Sequence, residues 1–393
     1  MKILQVVSSF PPAYSYGGAV KVSYEISKEL VKKGHEVTVY TTDAYDENSR
    51  LKFDKNPVYM EGIKVYHFRN LSNVLCKMNF PIALEMYTYL RKNIQDFDIV
   101  HIHEYRSFQT IFAQHFAVKY RVPYILQAHG STPLILGKIK LKKIYDSFFG
   151  YSILKKASRL ISLSNAEVEQ YIKMKAEPSK IFLIPNGIEI NSNVDLPEPG
   201  VFRKKYNLSN KHCILFLGRL HERKGIDFLI RSFAELIKDI DDAVLILAGP
   251  DDGYKNKAKE QVYELNLEEK VIFTGYMEPA DKISAYLDAD ILVYPSFFEI
   301  FGLVPFEAIM YDTPVIVTDD CGCGEFIKKA NCGYLVKYGD LTDLKYKMKL
   351  ILENPDIGSK FVENGQKYIT NNLTWPLICK KIERLYENCI YKV

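Results

Sequence analysis

Pro295-Ser-Phe-Phe-Glu299-Ile-Phe-Gly302-Leu-Val-Pro-Phe-Glu307-Ala308 is the stretch on which the reading of this chain turns. An apolar run, Ile291-Leu-Val-Tyr294, precedes it and reads as a buried strand. Pro305 fits the first turn of a helix, where a missing N–H costs nothing, so the pattern predicts a helix starting near Leu303. Glu299 then lies on the loop before the helix and Glu307 on its first turns. The N–H groups of Phe301, Gly302, Leu303 and Val304 are expected to point out of the helix end, where unpaired donors and the helix dipole attract an anion. Gly302 lets a ligand approach the backbone closely. The stretch reads as a place that holds a phosphate beside polyhydroxyl groups, at the strand end where open α/β sheets bind ligands. Two solvated surface glutamates are the bland alternative for the pair alone.

Around this stretch the chain alternates strand and helix. Lys2 to Ser8 reads as a buried strand, and Gly17-Gly18 stands at the entrance of an amphipathic helix that Gly34-His35 ends. Further strands are expected at Glu36–Thr42, Ile63–Phe68, Asp98–His103, Pro123–Gly130, Leu160–Ser164 and Ile181–Ile184. Asn186-Gly187 and the polar, proline-containing residues after it read as a hinge, 186–205. A second series follows, with strands at Cys213–Gly218, Ala243–Ala248, Val271–Thr274, Ile291–Tyr294, Val315–Thr318 and Tyr334–Val336 and a helical end. The expected fold class is α/β: two Rossmann-like domains, 1–185 and 206–372, with parallel sheets facing across a cleft.

Size and composition agree. At 393 residues the chain exceeds what one core usually supports, and 47% hydrophobic with 25% charged residues is ordinary for a globular protein. No apolar run reaches the ~18 residues that span a bilayer. The first strand is interrupted too early to be a signal peptide, so a cytoplasmic protein is expected. Seven scattered cysteines argue against a disulfide framework, and Cys321-Gly-Cys323 lacks partners at metal-site spacing. Residues 1–185 hold 26 Lys/Arg and 16 Asp/Glu, residues 186–393 hold 26 and 32. The basic half is expected to meet something negative. Lys138-Ile-Lys-Leu-Lys-Lys143 beside Phe148, Phe149 and Tyr151 suggests an anionic membrane surface, an ordinary amphipathic helix being the alternative. A nucleic-acid partner is not expected.

Arg219 and Lys224 flank the loop after the second series' first strand. A guanidinium fork and a compact ammonium suit a diphosphate. His129 ends a strand and could bond a sugar hydroxyl or polarise a reacting group; a turn histidine bonded to backbone is the alternative. His101, His103 and Glu104 are expected to be strand-end packing rather than a metal site, and Asp288-Ala-Asp290 a pair of turn carboxylates. No P-loop and no Ser/His/Asp or Cys/His set is present.

At these residues the chain resembles the retaining glycosyltransferases of family 4, with the GT-B fold. Ser296-x-x-Glu299-x-Phe301-Gly302 through Glu307-Ala308 is similar to the family's E-x7-E signature. Gly218-Arg219-Leu220 with Arg223-Lys224-Gly225, Pro185-Asn186-Gly187, Gly17-Gly18, Gly34-His35-Glu36-Val37, His129-Gly130, Pro314-Val315-Ile316 and Gly333-Tyr334-Leu335-Val336 resemble its other marks. The resemblance implies that Glu299 contacts the donor sugar's hydroxyls and Glu307 the ribose. Arg219, Lys224 and the N–H groups from Phe301 to Val304 would bind the diphosphate of a UDP- or GDP-sugar. Gly17 and Gly18 would close over the phosphates, His129 would sit by the sugar, and Tyr276 and Met277 would line the base pocket. It implies a glycan or lipid-linked acceptor, transfer with retention, no metal and no cofactor beyond the co-substrate. It also implies that a last helix, 373–393, packs back on the first domain. The chain departs from the family at Asp312, often Gly, and at Cys321-Gly-Cys323-Gly-Glu325, an unusual loop near the donor. A nucleotide-sugar epimerase of similar fold and a catalytically idle binding subunit are the competing readings.

Overall fold

A computed structural model describes residues 1–46, 49–53, 55–77, 81–134, 139–190, 196–319 and 322–391. Lys138, residues 191–195 of the expected hinge, and Cys321 lie outside the described residues. The chain divides into two compact units, Met1–Gly187 with Trp375–Val393, and Ile188–Thr374.

The first unit is built on β1 (Lys2–Val6), β2 (Glu36–Thr42), β3 (Val58–Met60), β4 (Ile63–Phe68), β5 (Ile99–His103), β6 (Tyr124–Gln127), β7 (Arg159–Ser162) and β8 (Ile181–Leu183). They lie in the order β3-β4-β2-β1-β5-β6-β7-β8, and all are parallel except β3 against β4. The central strands are buried on both faces, which is why they read as nearly unbroken apolar runs. Side chains alternate between the faces. Leu4, Val6, Val100, Ile102, Tyr124 and Leu126 pack with Met86, Leu90, Ala113 and Phe116. Ile3, Val7, Ile99 and Ile125 pack with Val22, Ile26 and Leu30 of the Gly18–Lys32 helix and with Trp375, Ile378, Ile382 and Leu385 of the last helix, Trp375–Ile390. Those four side chains recur at helical spacing, and each contributes about 1.5–3 kcal/mol by leaving water. Trp375 also sets the junction: a Cβ at Gly187 would fall 2.3 Å from its ring, so only glycine fits. Strand β3 was not expected; three residues after Pro57 carry no readable alternation.

The second unit holds β9 (His212–Leu217), β10 (Ala243–Ala248), β11 (Val271–Gly275), β12 (Ile291–Tyr294), β13 (Val315–Thr318) and β14 (Tyr334–Val336), all parallel, in the order β11-β10-β9-β12-β13-β14. The strand order reverses between β9 and β12. In such sheets the crevice outside the carboxyl ends of those two strands is where ligands bind.

Three expectations need correcting. Residues 201–205, taken with the hinge, form a short helix whose Phe202 is buried. Asp288 and Asp290 explain it. Asp288 accepts from the N–H groups of Gly200 (2.6 Å), Phe202 (2.8 Å) and Arg203 (3.1 Å), capping that helix. Asp290 takes the Arg203 guanidinium at 2.7 Å and the Cys213 N–H at 2.6 Å. These carboxylates pin a distant helix rather than a local turn, and a five-residue helix is too short to show a period. Finally, the expected loop at Cys323 and Glu325 belongs to a helix, Gly322–Ala330.

Asp312, where the family often has glycine, adopts φ 63° after the Leu303–Met310 helix and accepts from the Gln366 amide at 2.8 Å. Aspartate tolerates the left-handed conformation that glycine adopts freely. Asp312→Ala should therefore be about 1 kcal/mol less stable than Asp312→Gly in urea unfolding. Asp288→Ala should lose about 1–3 kcal/mol in the same measurement, because three backbone donors lose their acceptor.

Candidate active site

The reversal point of the second sheet brings together the loop after β9 and the loop after β12. Their close approach is dictated by a glycine. Gly225 has φ 65°, and a Cβ there would fall 2.1 Å from the Pro295 carbonyl oxygen. The Phe297 N–H bonds the Arg223 carbonyl at 3.2 Å across the same seam. This contact sets Lys224 against Glu299. Lys224 Nζ lies 2.6 Å from Glu299 Oε2, and Tyr294 Oη donates to the same oxygen at 2.8 Å. Lys224 also bonds the Tyr294 hydroxyl and stands 4.7 Å from its ring centroid. Burial works to push the Glu299 carboxyl up, but Lys224, Tyr294 and the Ile300 N–H outweigh it and hold the group below the usual carboxylate range. Glu299 is thus a fixed anion, beside an ammonium with three donors of which two are engaged among the described residues.

Gly302 carries the chain from this cluster into the Leu303–Met310 helix. Its φ is 67°, and a Cβ there would meet Glu299 Cγ at 2.9 Å. Among the described residues no side chain caps the helix, and Pro305 has no N–H. The open end therefore presents the Leu303 and Val304 donors. Phe301 is buried against Phe306 and Phe326, which fixes the loop from behind. The Glu299 carbonyl accepts the Gly322 N–H at 2.6 Å, tying the donor-side loop to the helix that replaces the expected loop.

Glu307 makes separate bonds. Lys282 pairs with it, and Tyr286 donates to it at 3.2 Å, both from the Pro279–Asp288 helix. Burial and the adjacent Glu307 push the Tyr286 hydroxyl well up, so it remains a donor. Arg219 is paired with Asp252 at 2.7 Å on a half-exposed loop. Asp251 accepts from the N–H groups of Gly253, Tyr254 and Lys255, as a turn residue does. Tyr276 and Met277 follow β11, and Tyr276 is 64% exposed. Sequence reading missed Lys282, Tyr286 and Tyr294 as site partners. Tyr294 stood in the strand already identified; Lys282 and Tyr286, four apart on a helix, carried the signal of one shared face.

In the first unit the same topology recurs, with the reversal between β1 and β5. The loop after β1 ends at Gly17, φ 96°, which no L side chain readily adopts, and Gly18 starts the helix. A Cβ on either would meet nothing within 4 Å, so the space before this turn is open. His129 follows β6 in a left-handed conformation, φ 51°. Gly130 N–H bonds Glu167 at 2.6 Å, and the other Glu167 oxygen takes the Leu163 N–H at 2.8 Å. Burial pushes Glu167 up to about 7. The His129 partner is a side chain, not backbone: its Nε2 lies 3.0 Å from His103 Nδ1. Burial pushes His129 down to about 3, so it is neutral. His101 and His103 also bond side chains within the sheet's face.

Residues 16–192 match the family model of Glycosyltransferase Family 4, and residues 201–368 match that of the glycosyl transferases group 1. An uncharacterized glycosyltransferase of Methanocaldococcus jannaschii is 28% identical over 400 residues, covering 98% of each chain. A phosphatidyl-myo-inositol mannosyltransferase of Mycobacterium leprae is 25% identical over 74% of each. A crystal structure of Anabaena HepE in complex with UDP and glucose has a TM-score of 0.77 at 20% identity, covering 99% of this chain and all of that one. The chain belongs to the group 1, family 4 glycosyltransferases and has their GT-B fold.

Proposed function

We propose that this glycosyltransferase moves a hexosyl unit from a UDP- or GDP-sugar to a glycan or lipid-linked acceptor, with retention and without a metal ion. The observation that carries it is the Lys224–Tyr294–Glu299 cluster beside the open end of the Leu303–Met310 helix. The fixed Glu299 anion accepts from sugar hydroxyls, and Glu307 from the ribose. The remaining donor of Lys224, the Arg219 guanidinium and the Leu303 and Val304 N–H groups meet the diphosphate. Tyr276 and Met277 line the base, Gly17 and Gly18 cover the phosphates, and His129 bonds a sugar hydroxyl. UDP is favoured because one protein of the same fold, Anabaena HepE, is solved in complex with UDP and with UDP-glucose.

The chemistry asks for charge stabilisation rather than a protein nucleophile. As the bond from the anomeric carbon to the β-phosphate oxygen breaks, negative charge collects on the leaving diphosphate. Lys224 and the helix end stabilise that charge in place. The acceptor hydroxyl attacks the same face, and its proton passes to the leaving phosphate oxygen. Asp288 and Asp290 are already committed to backbone donors and Arg203, so they are not available as metal ligands.

A membrane-bound acceptor is supported by the segment from Ile139. Ile139, Leu141, Ile144, Phe148 and Phe149 are exposed beside Lys140, Lys142 and Lys143. A π-helical turn, Asp146–Gly150, holds them out from the unit. It is anchored by Arg106, which grips the buried Asp146 at 2.9 and 2.6 Å. Apolar side chains interleaved with lysine suit an anionic bilayer surface. Among the described residues no helix is long and apolar enough to cross a membrane.

Lys224→Ala should reduce kcat/KM by about 10²–10³, with the far-UV spectrum unchanged and wild-type turnover unaffected by EDTA. Full activity of the variant, or loss of turnover with chelator, would remove this mechanism. A thermal-shift screen of UDP- and GDP-sugars should show one donor class raising Tm. Replacing Lys140, Lys142 and Lys143 by Glu should weaken binding to vesicles containing anionic lipid, by about 1 kcal/mol per lysine removed.

A further inference from the structure

His129 is one end of a hydrogen-bonded row that runs through the first unit to its last helix. Tyr386 Oη lies 2.7 Å from His101 Nδ1 and 3.4 Å from Gln5 Nε2. Gln5 Oε1 lies 2.7 Å from His103 Nε2, and His103 Nδ1 lies 3.0 Å from His129 Nε2. Strand pairing places Gln5 opposite His101 and His103 opposite Gln127, so these side chains share one face of the sheet. Gln5, His101, His103 and Tyr386 are at most 1% exposed. Burial keeps all three imidazoles neutral. Each ring therefore has one N–H and one lone pair, and each bond in the row takes one proton. The protonation of one member dictates that of the next.

Gln5 sets the direction. Its carbonyl oxygen can only accept, so the proton on its bond to His103 belongs to His103 Nε2. The Tyr386 oxygen then accepts from the Gln5 amide N–H, and the Gln5 carbonyl accepts from His103 Nε2–H. His103 Nδ1 accepts from His129 Nε2–H. What remains on His129 is a lone pair at Nδ1.

We infer that Gln5, His103 and Tyr386 are positioning residues that hold His129 in its Nε2–H tautomer, so that His129 meets its ligand as a hydrogen-bond acceptor through Nδ1. This rests on the assignment of His129 to a sugar hydroxyl and adds that the hydroxyl donates. The row thereby selects against a group that can only accept, such as a phosphate oxygen, at that position.

The test reads the rings directly, in the whole protein labelled with nitrogen-15 histidine near neutral pH. The His129 signals are identified by their loss in His129→Asn. The expected spectrum has His129 Nε2 protonated and Nδ1 bare. In Tyr386→Phe and in Gln5→Leu, the row is cut and His129 should show averaged shifts from both tautomers. The KM for the donor should then rise about twofold, because only about half of the rings are competent. A proton on His129 Nδ1 in the wild type overturns the inference, as does an unchanged single tautomer in both variants. Unimpaired turnover in His129→Ala would instead overturn the sugar assignment beneath it, whatever the tautomer.

Discussion

Charge balance at one helix end governs the second unit. Glu299 and Glu307 bring two anions to the open end of one helix, the place proposed above for a diphosphate. Each is answered by its own ammonium, Lys224 or Lys282, and by its own tyrosine hydroxyl. With the carboxylates neutralised pairwise, the helix dipole is left uncancelled at that end. The glycines follow from the same requirement. Gly225 lets the lysine loop touch the glutamate loop, and Gly302 lets the glutamate sit against the turn that opens the helix. Any side chain at either position would push the charges apart.

Much of this was legible in the residues. The apolar run before Pro295, the proline in the first turn and the glycine between the glutamates placed strand, loop and helix correctly, because each reports a local backbone constraint. The sheet order was not legible, yet it is what joins the β9 loop to the β12 loop across some seventy residues. Partners on the Pro279–Asp288 helix were missed for the same reason: Lys282 and Tyr286 look like ordinary surface helix residues until the helix is packed beside Glu307. Asp288 and Asp290 show the reverse case. A spacing that suits a metal turned out to serve a helix N-terminus and an arginine, since carboxylates satisfy backbone donors as readily as they bind cations.

The first unit handles polarity differently. Among the described residues it contributes no buried ion pair to its central strands. Instead Gln5, His101, His103 and Gln127 replace apolar side chains on one face, and burial keeps the two histidines neutral rather than pairing them with a counter-charge. Such a face tolerates no mismatch of donors and acceptors, which ties the sheet interior to the identity of one residue, Tyr386, on the last helix.

That helix returns to the first unit only after the second is complete. During synthesis, the whole core of Ile188–Thr374 leaves the ribosome before Trp375 does. Until then one face of the first sheet, with its amide and imidazole groups, has no lid, while its neighbour can already close. The order of maturation therefore runs against the order of the chain: the first unit is finished only after the second, and a nascent chain halted short of Trp375 would carry an uncovered sheet face for chaperones to hold.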